Sequence, residues 1–151
     1  YLNDYDIPVH PLVNEGFLVM GHIGCRPQYV NKDGGYIVHG GDATSRYDLM
    51  SLASALSTIG VFGIVLEKVA ISTAKAITES VKCPTIGIGS GPHCSGQVLV
   101  TNDALGLTQN FNPTFLKQFC NGSDVFKAAI NQYKTEVESN EYPTEAHGYE
   151  S

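Results

Sequence analysis

The sequence contains no long apolar run and no cluster of basic residues. A helix needs about 20 predominantly apolar residues to cross a bilayer, and neither such a run nor a signal peptide is visible. The 151 residues include 9 Lys and Arg against 15 Asp and Glu, which gives a net charge of −6. This balance argues against nucleic-acid and membrane partners, so we expect a cytoplasmic protein.

Paired cysteine spacing is also missing. The four cysteines are scattered without a CxxC motif, at Cys25, Cys83, Cys94 and Cys120. Such spacing is typical of reduced thiols and argues against a disulfide framework. It also argues against zinc, because the one close pair, His93 and Cys94, is interpreted as part of a loop. We therefore predict no zinc site in this chain.

Several short apolar runs occur along the sequence, which is 42% hydrophobic and 16% charged. Continuous runs of this length predict strands covered on both faces. The first comprises residues 17–20, between Gly16 and Gly21, and the others comprise residues 63–67, 85–89 and 97–100. No repeat or linker divides the chain, so a single domain over residues 1–151 is expected.

Helical periodicity appears between and after these strands. One helix is predicted to be capped by Thr44 or Ser45 and to end at Gly60, and two more cover residues 71–81 and 123–138. The polar, glycine-rich residues 25–42 are interpreted as a long functional loop. The alternation predicts an α/β fold with a parallel sheet, either doubly wound or a piece of a (β/α)8 barrel.

Polar residues follow three of the predicted strands. Parallel α/β folds place their active sites at the carboxyl ends of strands, and these strands end in His22, Glu67 and Ser90-Gly91. A carboxylate beside a buried sheet is costly without partners, so we interpret Glu67 as a general base. The alternatives are a helix cap or a pair with Lys68 or Lys75. His22, taken alone, is as compatible with a structural role.

The glycine-rich GIGSGP segment at residues 87–92 resembles a nucleotide-binding loop only superficially. Its glycines do not follow GxGxxG, and Pro92 has no backbone N–H to donate to a phosphate. We therefore predict a tight turn that allows another segment or a ligand to approach the backbone.

Several longer motifs occur together and in order. They are HIGCRPQ (22–28), GGYIVHG (34–40), LEKV (66–69), IGIGSG (86–91), GQVLVTNDALG (96–106) and YKTEV (133–137). Over about residues 17–147 the chain resembles the ketopantoate hydroxymethyltransferase family. It departs from the family pattern at five positions, which are Cys25, Arg26, Gly41, Ala70 and Asn102.

The resemblance implies a (β/α)8 TIM barrel of the phosphoenolpyruvate/pyruvate-binding type. A single barrel needs about 250 residues, so the chain would cover the second half, strands 5–8. The family's Mg²⁺ ligands lie on earlier strands and have no counterpart here. We expect a fragment, the alternative being a degenerate copy. A half-barrel would leave strand edges and inner apolar side chains uncovered.

The resemblance also implies an activity. The family transfers a hydroxymethyl group from 5,10-methylenetetrahydrofolate to 3-methyl-2-oxobutanoate, giving ketopantoate for pantothenate and coenzyme A synthesis. Glu67 matches the family's catalytic base, and His22 would bind the substrate or orient Glu67. The family forms large rings, so a homo-oligomer, specifically a decamer, is expected. The alternatives are a Mg²⁺-dependent C–C lyase of the same superfamily, or an inactive half-barrel that only packs against a partner.

Overall fold

The computed structural model describes residues 9–29, 31–32 and 34–150. The chain divides into two compact units, Tyr1–Val98 and Leu99–Ser151. The predicted loop at residues 25–42 forms mainly turns around a 3₁₀ helix at Pro27–Tyr29, and its residues 30 and 33 lie outside the described residues.

The first unit is a parallel α/β structure, as the sequence predicts. Its sheet has the order β1-β2-β3-β4, and every neighbouring pair is parallel. The strands are β1 (Met20–Gly24), β2 (Gly63–Glu67), β3 (Thr85–Ile88) and β4 (Gly96–Gln97). The helices of this unit are α1 (Val9–Asn14), α2 (Ala43–Ile59) and α3 (Ile71–Ser80).

The core of this unit lies on one side of the sheet. Strand residues Ile23, Ile64 and Leu66 pack there against α2 and α3, and each is 0% exposed. The other side, here called the far face, carries the alternate residues of the strands. Its residues are Met20, His22, Val65, Glu67, Ile86 and Ile88, all partly or largely exposed. The prediction that the strands are covered on both faces is therefore wrong for these residues.

The first strand begins later than predicted. Phe17 and Leu18 precede it and are 62% and 85% exposed, whereas the ladder with β2 begins at Met20. Gly21, interpreted as a boundary, lies inside β1 and pairs with Ile64. Helix α2 packs so closely there that a Cβ on Gly21 would be 2.9 Å from a Leu56 methyl. His22 consequently lies in the middle of the strand and not at its end.

Helix α2 ends where predicted but begins earlier. Gly60 ends it in the left-handed conformation, with φ of 97°. Asp42, and neither Thr44 nor Ser45, caps the start, because its carboxylate accepts a hydrogen bond of 2.9 Å from the Ser45 N–H. The second and third strands and α3 agree with prediction to within a residue. The fourth strand is only two residues long, and a helix begins soon after it.

The second unit contains helices α4 (Thr101–Ala104) and α5 (Gly122–Glu138) and a 3₁₀ helix at Glu145–His147. Helix α5 confirms the predicted helix at residues 123–138. Its apolar side chains are largely exposed, with Phe126 at 57% and Ile130 at 65%. Across the described part of the chain, every helix is too short or too polar to traverse a lipid bilayer.

Candidate active site

Glu67 and His22 meet on the far face of the sheet. Glu67 is the last residue of β2, and His22 lies on the neighbouring strand β1. The His22 Nε2 atom is 3.2 Å from Glu67 Oε2, and the side chains are 39% and 18% exposed. Sequence reasoning predicted that both residues would lie at one edge of the sheet, and the structure brings them into direct contact.

Gly24 shapes the strand beside this pair. It lies opposite Glu67 in the ladder and has φ of 91°, in the left-handed region. A Cβ at this position would be 2.2 Å from the Glu67 carbonyl oxygen. That carbonyl accepts a hydrogen bond of 2.8 Å from the N–H of Cys25, the next residue. Because only glycine tolerates both the conformation and the close contact, Gly24 lets β1 bend around the backbone of Glu67.

The turn after Glu67 is held from two sides. Lys68 has φ of 49°, which is uncommon for a residue with a side chain. Its N–H donates to the Ile88 carbonyl at 2.9 Å, and its carbonyl accepts from the His39 N–H at 2.9 Å. The Ala70 N–H donates to the His39 carbonyl at 2.8 Å. A proline, the residue that the family pattern has at this position, would lack that donor.

The two lysines considered as partners of Glu67 make other contacts. The Lys68 ammonium donates to the Tyr36 carbonyl and lies 5.6 Å from the centre of the Tyr36 ring. Lys75 lies 3.9 Å from Glu79, one turn along α3. Glu67 instead contacts the imidazole of His22.

Ser90 supports the same turn from β3. It is 0% exposed, and its hydroxyl donates to the Leu66 carbonyl at 2.7 Å and accepts from the Val69 N–H at 3.0 Å. The flanking Gly89 and Gly91 both have positive φ, and a Cβ on Gly91 would be 2.8 Å from Ile71. The glycines thus form the predicted tight turn. The sequence placed Ser90 at a strand end and in this turn but did not indicate its hydrogen bonds, since no local pattern signals a bond to residues more than twenty positions away.

The far face around the pair is lined by apolar side chains. Val65, Ile86 and Ile88 lie on it and are half-buried. Among residues 9–29, 31–32 and 34–150, no group of three or more His, Cys, Asp or Glu side chains is placed to hold a metal ion. A carboxylate in contact with an imidazole beside apolar side chains is suited to moving a proton on a small, partly apolar substrate.

The parallel sheet carries a carboxylate at the end of one strand in contact with an imidazole on the next strand. These features are typical of α/β enzymes that use acid–base chemistry. Within that class, the chain belongs to the ketopantoate hydroxymethyltransferase family, whose sequence model matches residues 6–145.

Similar proteins carry the corresponding enzyme name. The 3-methyl-2-oxobutanoate hydroxymethyltransferase of Thermotoga maritima is 48% identical over 141 residues, which are 93% of this chain and 52% of that protein. The enzyme of the same name from Francisella tularensis subsp. novicida is 44% identical over 145 residues, covering 96% of this chain and 54% of the relative. The chain therefore spans about half the length of the curated relatives that it matches.

Proposed function

We propose that the protein transfers a hydroxymethyl group to 3-methyl-2-oxobutanoate, forming ketopantoate for pantothenate and coenzyme A synthesis. The observation that carries this proposal is the 3.2 Å contact between Glu67 and His22 on the far face of the sheet, in a chain of this family. The enzyme name that the relatives share supports the reaction and the 2-oxo acid substrate. The proposed one-carbon donor is 5,10-methylenetetrahydrofolate.

Glu67 is the proposed catalytic base. Its carboxylate takes the proton from C3 of the 2-oxo acid, and the electron pair of the broken C–H bond passes into the enolate. Water releases the one-carbon unit from the folate as formaldehyde, and both of its C–N bonds break as tetrahydrofolate leaves. C3 of the enolate then attacks the formaldehyde carbon, and a C–C bond forms while the C=O electron pair moves to oxygen, which takes the proton from Glu67. His22 Nε2 holds the Glu67 carboxylate in one orientation or hydrogen-bonds the substrate. Val65 and Ile88 provide apolar surface for the branched end of the substrate.

Magnesium is the proposed metal of the whole protein, where it would polarise the keto group and so acidify C3–H. The described residues of this chain do not fit a magnesium site. Glu67 is the one carboxylate that the far face offers, and it is already paired with His22. We propose that the ligands lie on barrel strands outside this chain.

The proposed architecture is a (β/α)8 barrel of the phosphoenolpyruvate/pyruvate-binding type, with this chain as a single domain forming its second half. The uncovered far face and the edge position of β1 support this architecture. In a closed barrel, side chains of the other strands would cover the far face, and another strand would pair with β1. A cytoplasmic homo-oligomer, a decamer, is the proposed assembly.

The test is deuterium exchange at C3 of 3-methyl-2-oxobutanoate, followed by NMR with the protein expressed at its natural length and supplied with Mg²⁺. Glu67→Gln is expected to abolish exchange, because an amide cannot accept the proton. Glu79→Gln is the matched control, since Glu79 is exposed on α3 and pairs with Lys75. Exchange retained in Glu67→Gln refutes the assignment.

The same protein separates the alternative functions. Product formation that requires methylenetetrahydrofolate supports the transferase, whereas cleavage of a 2-oxo acid without folate identifies a C–C lyase. Absence of both activities in the wild-type protein identifies an inactive packing partner.

A further inference from the structure

We propose that Ser90 is a positioning residue for Glu67, an inference that rests on the proposed function. The hydroxyl of Ser90 bridges the ends of the turn that carries the carboxylate. It accepts from the Val69 N–H at 3.0 Å and donates to the Leu66 carbonyl at 2.7 Å. In a tight four-residue turn, a carbonyl and an N–H in these two positions commonly bond each other directly.

The backbone of this turn is strained at Lys68 and buried at Leu66 and Val69. Lys68, between Glu67 and Val69, has φ of 49°, which costs on the order of 1 kcal/mol for a residue with a side chain. A conformation of this kind persists only where its surroundings hold it. Leu66 and Val69 are 0% and 1% exposed, so water has little access to their backbone groups. The Ser90 hydroxyl supplies the hydrogen bonds that solvent does not.

The Glu67 carboxylate depends on this turn for its direction. Glu67 ends β2, and its carbonyl is held by the Cys25 N–H. Beyond Glu67, the path of the chain depends on the backbone hydrogen bonds of Lys68 and on the bridge made by Ser90. Without the hydroxyl, the Val69 N–H and the Leu66 carbonyl lose a buried partner, and the turn relaxes to recover hydrogen bonds. The 3.2 Å contact with His22 would then be lost.

The first test compares Ser90→Ala with Ser95→Ala. Ser95 is the matched control, because its hydroxyl also accepts a backbone N–H, that of Thr85, at the opposite end of β3. In the protein at natural length, Ser90→Ala is expected to lower kcat for C3 exchange about tenfold and to leave KM within about twofold. Ser95→Ala is expected to change neither by more than about twofold and to lower thermal stability less than Ser90→Ala, because Ser95 is exposed. Equal kinetics in the two variants would overturn the proposal.

Two further measurements exclude a merely structural role. Adding Ser90→Ala to His22→Gln is expected to cause little further loss of kcat, because both residues act through Glu67. A double variant whose loss of kcat equals the product of the two single losses would contradict this. A crystal structure of Ser90→Ala should show the Glu67 carboxylate displaced from His22. An unchanged contact overturns the inference. If the wild-type protein shows no exchange, the proposed function fails, and the crystal structure still decides the role of Ser90.

Discussion

His22 and Glu67 touch although they are not opposite each other in the sheet. The parallel ladder pairs His22 with Val65 and Glu67 with Gly24, so the two side chains meet diagonally across adjacent strands. Gly24 lies opposite the carboxylate and has no side chain of its own. The contact therefore depends on the register of β1 against β2 as much as on the two residue types.

Replacing His22 with Gln tests this contact. We expect kcat for C3 exchange to fall about tenfold or more, because the carboxylate loses its imidazole partner. KM should change little if His22 orients Glu67. His10→Gln is the control, since His10 is exposed on α1 and contacts Asn14. A rise in KM at constant kcat would instead assign His22 to substrate binding.

Gly24→Ala tests the bend in β1. The added Cβ meets the Glu67 carbonyl at 2.2 Å, and alanine also disfavours φ of 91°. We expect the free energy of unfolding to fall by about 3 kcal/mol. The measurement is urea denaturation, beside Gly41→Ala, where a Cβ would have no neighbour within 4 Å. Equal stability of the two variants would show that β1 does not depend on Gly24.

Asp42→Ala tests the start of α2. Loss of the hydrogen bond to the Ser45 N–H is expected to lower the free energy of unfolding by about 1 kcal/mol. Thermal unfolding followed by circular dichroism measures the change. Asp48→Ala, an exposed carboxylate inside the same helix, should cost less because alanine favours helix. The cap would be refuted by an Asp48 variant that is the less stable of the two.

Part of this structure was predictable from local sequence. The second strand ends at Glu67 and α2 ends at Gly60, as the apolar run and the glycine indicate. Both features depend on residues that are neighbours in the chain. The exposure of Phe17 and Leu18 was not predictable, because an apolar run does not show where pairing with another strand begins.

The sequence by itself determined the order of strands and helices, the parallel sheet and the presence of a carboxylate at the end of β2. These follow from the periodicity of apolar residues and from residues that end helices. Only the tertiary structure decided that His22 lies within its strand, that the far face carries it beside Glu67, and that Ser90 closes the turn between Leu66 and Val69. The reason is physical: strand register and buried hydrogen bonds join residues tens of positions apart, and packing selects them only once the whole unit has folded.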